Sequence, residues 1–385
     1  MQPIFLAAIL VLESGAMGQA PESVKARFDA LVKVQAAASN RYHDGWAAGK
    51  TPEEKQAAVD QYLSDAHKNA DAVLDLVAAN PKDPVVVDAL RFVIKTARAG
   101  PGDESYRAIE ILVRDHVRDP GMGELCGLIC YFFQAPIVER FIRSVMEMHP
   151  DRGDRGLACR TLATHLRYKA TMARRLRKNP EEIKLYEASR GKETMARFLK
   201  ATDPNALDKE AESLLERVFV EFGNVKHPLM SRTEGAIAAG ELFGMRNLVV
   251  GKVAPDIEGK DQDGTPFALR EYRGKVVVLT FSGNWCGPCV AMYPHERELV
   301  SRLKTKPFAL LSVSTDTTVE TLKKAISNAE ITWRCWYDGG QEGPITTRWG
   351  IPGFPSIFVL DKAGVIRFMN VRGADLDKAV NSLLE

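Results

Sequence analysis

Val276-Val277-Val278-Leu279-Thr280-Phe281-Ser282-Gly283-Asn284-Trp285-Cys286-Gly287-Pro288-Cys289 is the stretch from which the fold of this chain can be read. Residues 276–281 are an unbroken apolar run, the pattern of a buried strand. From 288 to 303 apolar residues recur at helical spacing. A strand running into a helix, with two cysteines at the junction, suits thiol–disulfide exchange. The attacking species in that chemistry is a thiolate, so the first cysteine must ionise readily. A helix N-terminus offers free N–H groups and the positive end of the macrodipole, and both favour an anion. Pro288 falls in the first turn, where its missing N–H costs nothing. Cys289, three residues on, lies within reach of the first sulfur. Cys286 is therefore the expected nucleophile and Cys289 the expected resolving thiol, with no cofactor or metal required. The competing reading, half of a zinc site, needs a second Cys-x-x-Cys or a His pair, and the sequence has neither.

Working outward, residues 308–313, 357–360 and 365–368 are further short apolar runs separated by turn residues, and amphipathic stretches at 318–329 and 375–384 alternate with them. Strands interleaved with helices imply a sheet covered by helices, an α/β domain.

Several motifs stand in a fixed order around this core: Val253-Ala254-Pro255-Asp256, Asp263-Gly264-Thr265-Pro266-Phe267, Tyr272-Arg273-Gly274-Lys275, the Trp285–Cys289 motif, Gly353-Phe354-Pro355-Ser356, and Asp361-Lys362-Ala363-Gly364. In these the last third of the chain, about 251–385, resembles the thioredoxin-like domain of the TlpA/ResA-type exported thiol–disulfide oxidoreductases. The resemblance implies a cis bond before Pro355, placed against the cysteine pair. It also implies a docking surface of Trp285, Gly287, Pro288, Phe354 and Pro355, on which the backbone before the proline pairs with a substrate segment in β fashion. The implied partners are protein thiols and disulfides, together with a membrane or exported redox partner.

The chain departs from these relatives where a proton acceptor for the resolving cysteine belongs. Thioredoxins have an Asp six residues before the first cysteine, where this chain has Thr280. ResA-type proteins have a Glu three residues after the second, where it has Met292. Glu296, His295 and Asp316 are the possible stand-ins, each expected to be an ordinary surface group, with transfer through water as the alternative. Peroxiredoxins share the fold and the Val-Ala-Pro-Asp opening, but their Pro-x-x-x-Thr/Ser-x-x-Cys signature is absent before Cys286. A peroxiredoxin-like peroxidase is thus a lesser alternative. Another is a partner-binding helical protein whose redox domain is only weakly active.

The chain has 385 residues, 45% hydrophobic and 26% charged, with a formal net charge of +2. That is a globular composition of more than one domain, with no electrostatic case for a nucleic-acid partner. Residues 1–20 read as an export signal, with an apolar run over 3–12 and Gly18-Gln19-Ala20 at the cleavage positions, although no Lys or Arg precedes the run. The mature protein is then expected to be soluble and periplasmic or otherwise extracytoplasmic, with no membrane span. Residues 21–245 read as an all-helical domain, a bundle or repeat array, with helices at 22–40, 53–79, 84–98, 104–117, 122–133, 137–148, 154–177, 181–199 and 208–222. Gly240, Gly244 and Gly251 mark a boundary over 240–252. No catalytic constellation appears in the helical region, so its expected role is to dock or orient the redox partner. The basic cluster Arg167, Lys169, Arg174, Arg175, Arg177 and Lys178 reads as a solvated helix face. Cys126, Cys130, Cys159 and Cys335 read as buried, inert thiols, and His43, His67, His116, His149 and His165 as surface or capped histidines.

Overall fold

The computed structural model describes residues 22–97 and 103–385. The export signal expected over residues 1–20 lies outside them. Contacts divide the chain into two compact units, one running to His116 and one from Val117 to Glu385.

In the first unit α1 (Val24–Ala48) and α2 (Pro52–Ala79) pack as a hairpin, followed by α3 (Val86–Thr96) and α4 (Glu104–Ile111), which runs on into a π-helical turn. The start of α2 shows how local sequence fixes an element. Thr51 Oγ1 accepts the Glu54 N–H at 3.2 Å and the Glu54 carboxylate accepts the Thr51 N–H at 3.2 Å. Pro52 occupies the first helical position, where no N–H is needed.

The second unit begins with seven helices: α5 (Met122–Ile129), α6 (Pro136–Met148), α7 (Arg152–Lys178), α8 (Pro180–Arg190), α9 (Lys192–Ala201), α10 (Pro204–Phe222) and α11 (Glu234–Asn247). α7 is the axis on which α5, α6 and α10 pack. The stretch 181–199, expected as one helix, is two, because Gly191 takes φ +86, a left-handed value that glycine adopts without penalty. The basic cluster on α7 is not a free face. Lys169 pairs with Glu139, Arg174 with Asp208 and Arg175 with Glu182, while Arg177 donates to the Leu199 and Thr202 carbonyls.

The rest of the unit is an α/β domain. A hairpin of β1 (Glu258–Lys260) and β2 (Pro266–Ala268) precedes β3 (Val276–Ser282), α12 (Gly287–Val290), α13 (Tyr293–Arg302), β4 (Phe308–Ser314), α14 (Val319–Ser327), β5 (Arg334–Tyr337), α15 (Pro344–Trp349), β6 (Ser356–Leu360), β7 (Ile366–Met369) and α16 (Ala374–Leu384). The five-stranded sheet has the order β5-β4-β3-β6-β7, with β3, β4 and β5 parallel and β6 antiparallel to both β3 and β7. All seven residues of β3 are buried, which is why its sequence is a continuous rather than alternating apolar run. Val277, Leu279 and Phe281 face a core with Trp336, Trp349 and Phe358. Val276 and Val278 face the opposite core with Leu299, Leu322 and Leu376. The helix expected over 288–303 is interrupted between Val290 and Tyr293. Pro294 has no N–H to give the Val290 carbonyl, so the hydrogen-bond ladder cannot run through.

Part of the glycine-marked stretch 240–252 is itself helical, as the C-terminal half of α11. Its glycines serve close approach. A Cβ on Gly240 would lie 2.9 Å from the Thr347 carbonyl oxygen and 3.1 Å from the Gly350 Cα. α11 thereby packs on α15, and Phe243 and Leu248 join the sheet's core. Gly240→Val is expected to cost about 1–3 kcal/mol through overpacking, read as a lowered thermal midpoint. An unchanged midpoint would mean that this contact does not hold α11.

Candidate functional site

β3 ends at Ser282 and the chain crosses Gly283-Asn284-Trp285 to reach Cys286, which caps α12. The crossing is tightly held. Asp316, just beyond β4, accepts the Asn284 N–H and the Asn284 Nδ2 at 2.8 Å each, and also the Ser314 hydroxyl at 2.9 Å. Trp285 Nε1 donates to the Thr315 carbonyl at 3.1 Å and lies 3.2 Å from Thr315 Oγ1. A Cβ on Gly283 would lie 2.9 Å from that same Oγ1, so only glycine fits beneath the indole. Asn284, Trp285, Ser314 and Asp316 are thereby paired with one another or with the backbone, as low-dielectric surroundings demand.

Cys286 and Cys289 are joined as a disulfide, with S–S 2.10 Å and Cα–Cα 5.2 Å. Cys286 is 5% exposed and Cys289 1%. The Cys289 N–H points at Cys286 Sγ, 3.2 Å away, and in the reduced state such a donor favours a thiolate at Cys286. Around the pair Trp285, Gly287, Pro288 and Val290 are exposed. The Phe354–Pro355 bond is cis. Phe281 pairs with Ser356 across β3 and β6, which sets Pro355 beside the end of β3 from which the cysteine loop departs. Phe354 meets Trp285 edge to face, ring centroids 5.2 Å apart. Trp285, Gly287, Pro288 and Phe354 thus border one surface at the cysteines, while Pro355 itself is buried beneath it.

Residues 250–369 match the AhpC/TSA family. The thiol–disulfide oxidoreductase ResA of Bacillus thuringiensis subsp. konkukian is 27% identical over 136 residues, 35% of this chain and 77% of that protein. Its namesake from Geobacillus thermodenitrificans is 28% identical over 120 residues, 31% of this chain and 68% of that protein. The thioredoxin domain of a thiol–disulfide oxidoreductase from Bacteroides vulgatus is 31% identical, covering 36% of this chain and 100% of that one with a TM-score of 0.34. The C-terminal part is a redoxin domain, and the chain is a thioredoxin-like thiol–disulfide oxidoreductase. The redoxin domain's other thiol, Cys335, is fully buried in β5, and burial pushes it well above the usual thiol range. In the helices burial pushes Cys130 up to about 11 and Cys159 up to about 12, and Cys126 well above its ordinary value. At neutral pH these are inert thiols. The described residues hold no cluster of His, Cys, Asp or Glu suited to a metal ion, and no helix among them is long and apolar enough to cross a membrane.

Two of the three stand-ins expected on the redoxin domain's surface are not there. Asp316 is 2% exposed and Glu296 3% exposed. Asp316 is buried because it holds Asn284. Glu296 is buried because it shares the inward face of α13 with Tyr293 and Leu299. His295 is half-buried and bonded to Asp377 at 3.0 Å. Thr280 and Ser312 share a hydrogen bond of 2.7 Å, and Ser312 also accepts from Trp333 Nε1 at 2.6 Å. His149 and His165, expected as surface or capped histidines, are buried and capped. His149 Nε2 lies 2.9 Å from the Asp119 carbonyl and His165 Nδ1 2.6 Å from the Cys130 carbonyl.

Proposed function

We propose that this oxidoreductase exchanges disulfides with proteins through Cys286 and Cys289. Cys286, the more exposed residue of the pair and the one whose sulfur faces an amide donor, attacks a substrate disulfide. Cys289 then attacks Cys286 Sγ, releases the substrate thiol and closes the disulfide; the reverse sequence hands a disulfide on. Trp285, Gly287, Pro288 and Phe354 contact the substrate, with Pro355 shaping the backbone beneath them. The observation that carries this reading is the Cys286–Cys289 disulfide at the end of β3, surrounded by exposed residues.

The helical region docks or orients the protein partner. The first unit carries an aromatic cluster of Tyr42, Trp46 and Tyr62, with Trp46 exposed, a composition that suits interfaces. Export, with residues 1–20 as its signal and a membrane or exported redox partner, belongs to the same reading. The test compares the whole chain with one lacking residues 22–116. Both are expected to reduce a small disulfide equally, while the shortened chain loses about tenfold, or ~1.4 kcal/mol, on its protein partner. Equal rates on both substrates would remove the docking role of the first unit. No reduction of insulin disulfides by the whole chain would remove the function.

A further inference from the structure

The sheet face beneath α13 changes character along its length. At one end β3 and β4 present Val276, Val278 and Leu310 to this core. Towards the cysteines the alternating positions become Thr280, Ser282, Ser312 and Ser314, all buried. α13 covers this polar patch with Tyr293 and Glu296. The Glu296 carboxylate accepts no hydrogen bond and forms no ion pair among the described residues. The Tyr293 hydroxyl is buried beside Ser282 with no well-formed hydrogen bond among the described residues. A buried carboxylate without a partner opposes folding, and a glutamine or leucine would serve packing better. The fold therefore gives Glu296 no structural reason.

Its position relative to the cysteines gives a chemical one. The Met292 N–H bonds the Cys289 carbonyl and the Glu296 N–H bonds the Met292 carbonyl, each at 3.0 Å. Cys289 and Glu296 therefore lie along one column of the chain. Side chains on a helix lean towards its N-terminus, so the carboxylate leans back towards Cys289. The other titratable groups around it are Tyr293 on its own helix, Asp316 beyond β4 and Cys335 on β5. Asp377 on α16 is occupied by His295 and Arg302.

We propose that Glu296 is the proton carrier of the Cys286–Cys289 pair, working across the polar face it shares with Ser282 and Tyr293. The proposal rests on the exchange reading above. In the mixed disulfide, Cys289–SH gives its proton to the Glu296 carboxylate. The Cys289 thiolate then attacks Cys286 Sγ. The Cys286–Cys289 bond forms, the bond to substrate breaks, and the substrate leaves as a thiolate reduced by two electrons. The proton passes from the Glu296 carboxylic acid to that thiolate or to solvent. In the opposite direction each transfer reverses. Burial alone pushes the Glu296 carboxyl up to about 7, the range in which a group both accepts and returns a proton efficiently.

The experiment follows single-turnover reaction of the reduced full-length chain with oxidised glutathione, from about pH 5 to about pH 9. The wild-type rate should rise through an apparent pKa near that of Glu296. Glu296→Gln should lose this limb, rise only in the ordinary thiol range near about 8.5, and react about 10²-fold more slowly at neutrality. Glu296→Asp should restore part of the limb. Glu298→Gln, exposed on the same helix, should behave as wild type. A reduced-minus-oxidised infrared spectrum should contain a protonated-carboxyl band that Glu296→Gln removes. Superimposable pH profiles for wild type and a folded Glu296→Gln chain would overturn the proposal. A wild-type chain no faster than a free thiol would instead overturn the exchange reading.

Discussion

A chain carrying Cys289→Ser should hold on to its substrate as a mixed disulfide at Cys286, and a chain carrying Cys286→Ser should form no such adduct. The asymmetry follows from the environments of the two sulfurs. Cys286 caps α12 with an amide N–H directed at its Sγ, whereas Cys289 is nearly fully enclosed. Once Cys286 has attacked, release of the adduct depends on Cys289, whose sulfur lies within bonding distance in the closed pair. Well-oriented intramolecular groups reach effective molarities of about 10⁵ M, which millimolar external thiol cannot match. Turnover by Cys289→Ser should therefore fall by at least about 10²-fold, and Cys286→Ser should fall to background. Non-reducing electrophoresis and mass spectrometry of the adduct read the result. Equal trapping by the two variants would reverse or abolish the assignment.

Glu296→Gln should make the protein more stable above neutral pH while making it a slower enzyme. Burial raises the folded-state carboxyl from its ordinary 4.5 to about 7. Below its ordinary pKa the group is protonated in both the folded and unfolded chain and contributes no difference. As pH rises from about 4.5 to about 7 the unfolded chain gives up the proton while the folded chain retains it, so stability falls across that window and levels off above it. The loss amounts to about 3 kcal/mol at 1.36 kcal/mol per unit. Glutamine cannot ionise, so the variant should match wild type near pH 4 and exceed it by about 3 kcal/mol near pH 8, read as urea midpoints at unchanged slope. Parallel stability curves for the two chains would show that Glu296 is not held in the buried state described. A residue that weakens the fold where it is needed for exchange is the pattern expected of a functional group.

Much of this was legible in the sequence for physical reasons. The 276–281 run is continuous because β3 is buried on both faces, and a Cys-x-x-Cys at a strand–helix junction has few other uses. Pro355 stands out only through resemblance, since nothing local sets its isomer. β5 was legible as a strand around Cys335, in Trp333-Arg334-Cys335-Trp336, although Arg334–Tyr337 is too short to show a period. α11 escaped because its glycines, which let it approach Gly350 and Gly223, look like linker residues. Glu296 was misread as a surface group because its sequence neighbours are His295, Arg297 and Glu298. Its spacing of three from both Tyr293 and Leu299 put it on the apolar stripe all the same, and that was the available signal. The polar patch beneath it comes from β3 and β4 together, and no single stretch of sequence displays it.

The central claim is that one cysteine pair in this chain cycles between dithiol and disulfide. It is tested most directly by equilibrating the protein across defined redox buffers, trapping free thiols and locating them by mass spectrometry. The account predicts a single two-electron transition confined to Cys286 and Cys289, at a potential within the thiol–disulfide range of about −120 to about −270 mV, with Cys126, Cys130, Cys159 and Cys335 reduced throughout. A pair that stays locked in one state across that range, or a transition that involves the buried cysteines, would contradict it.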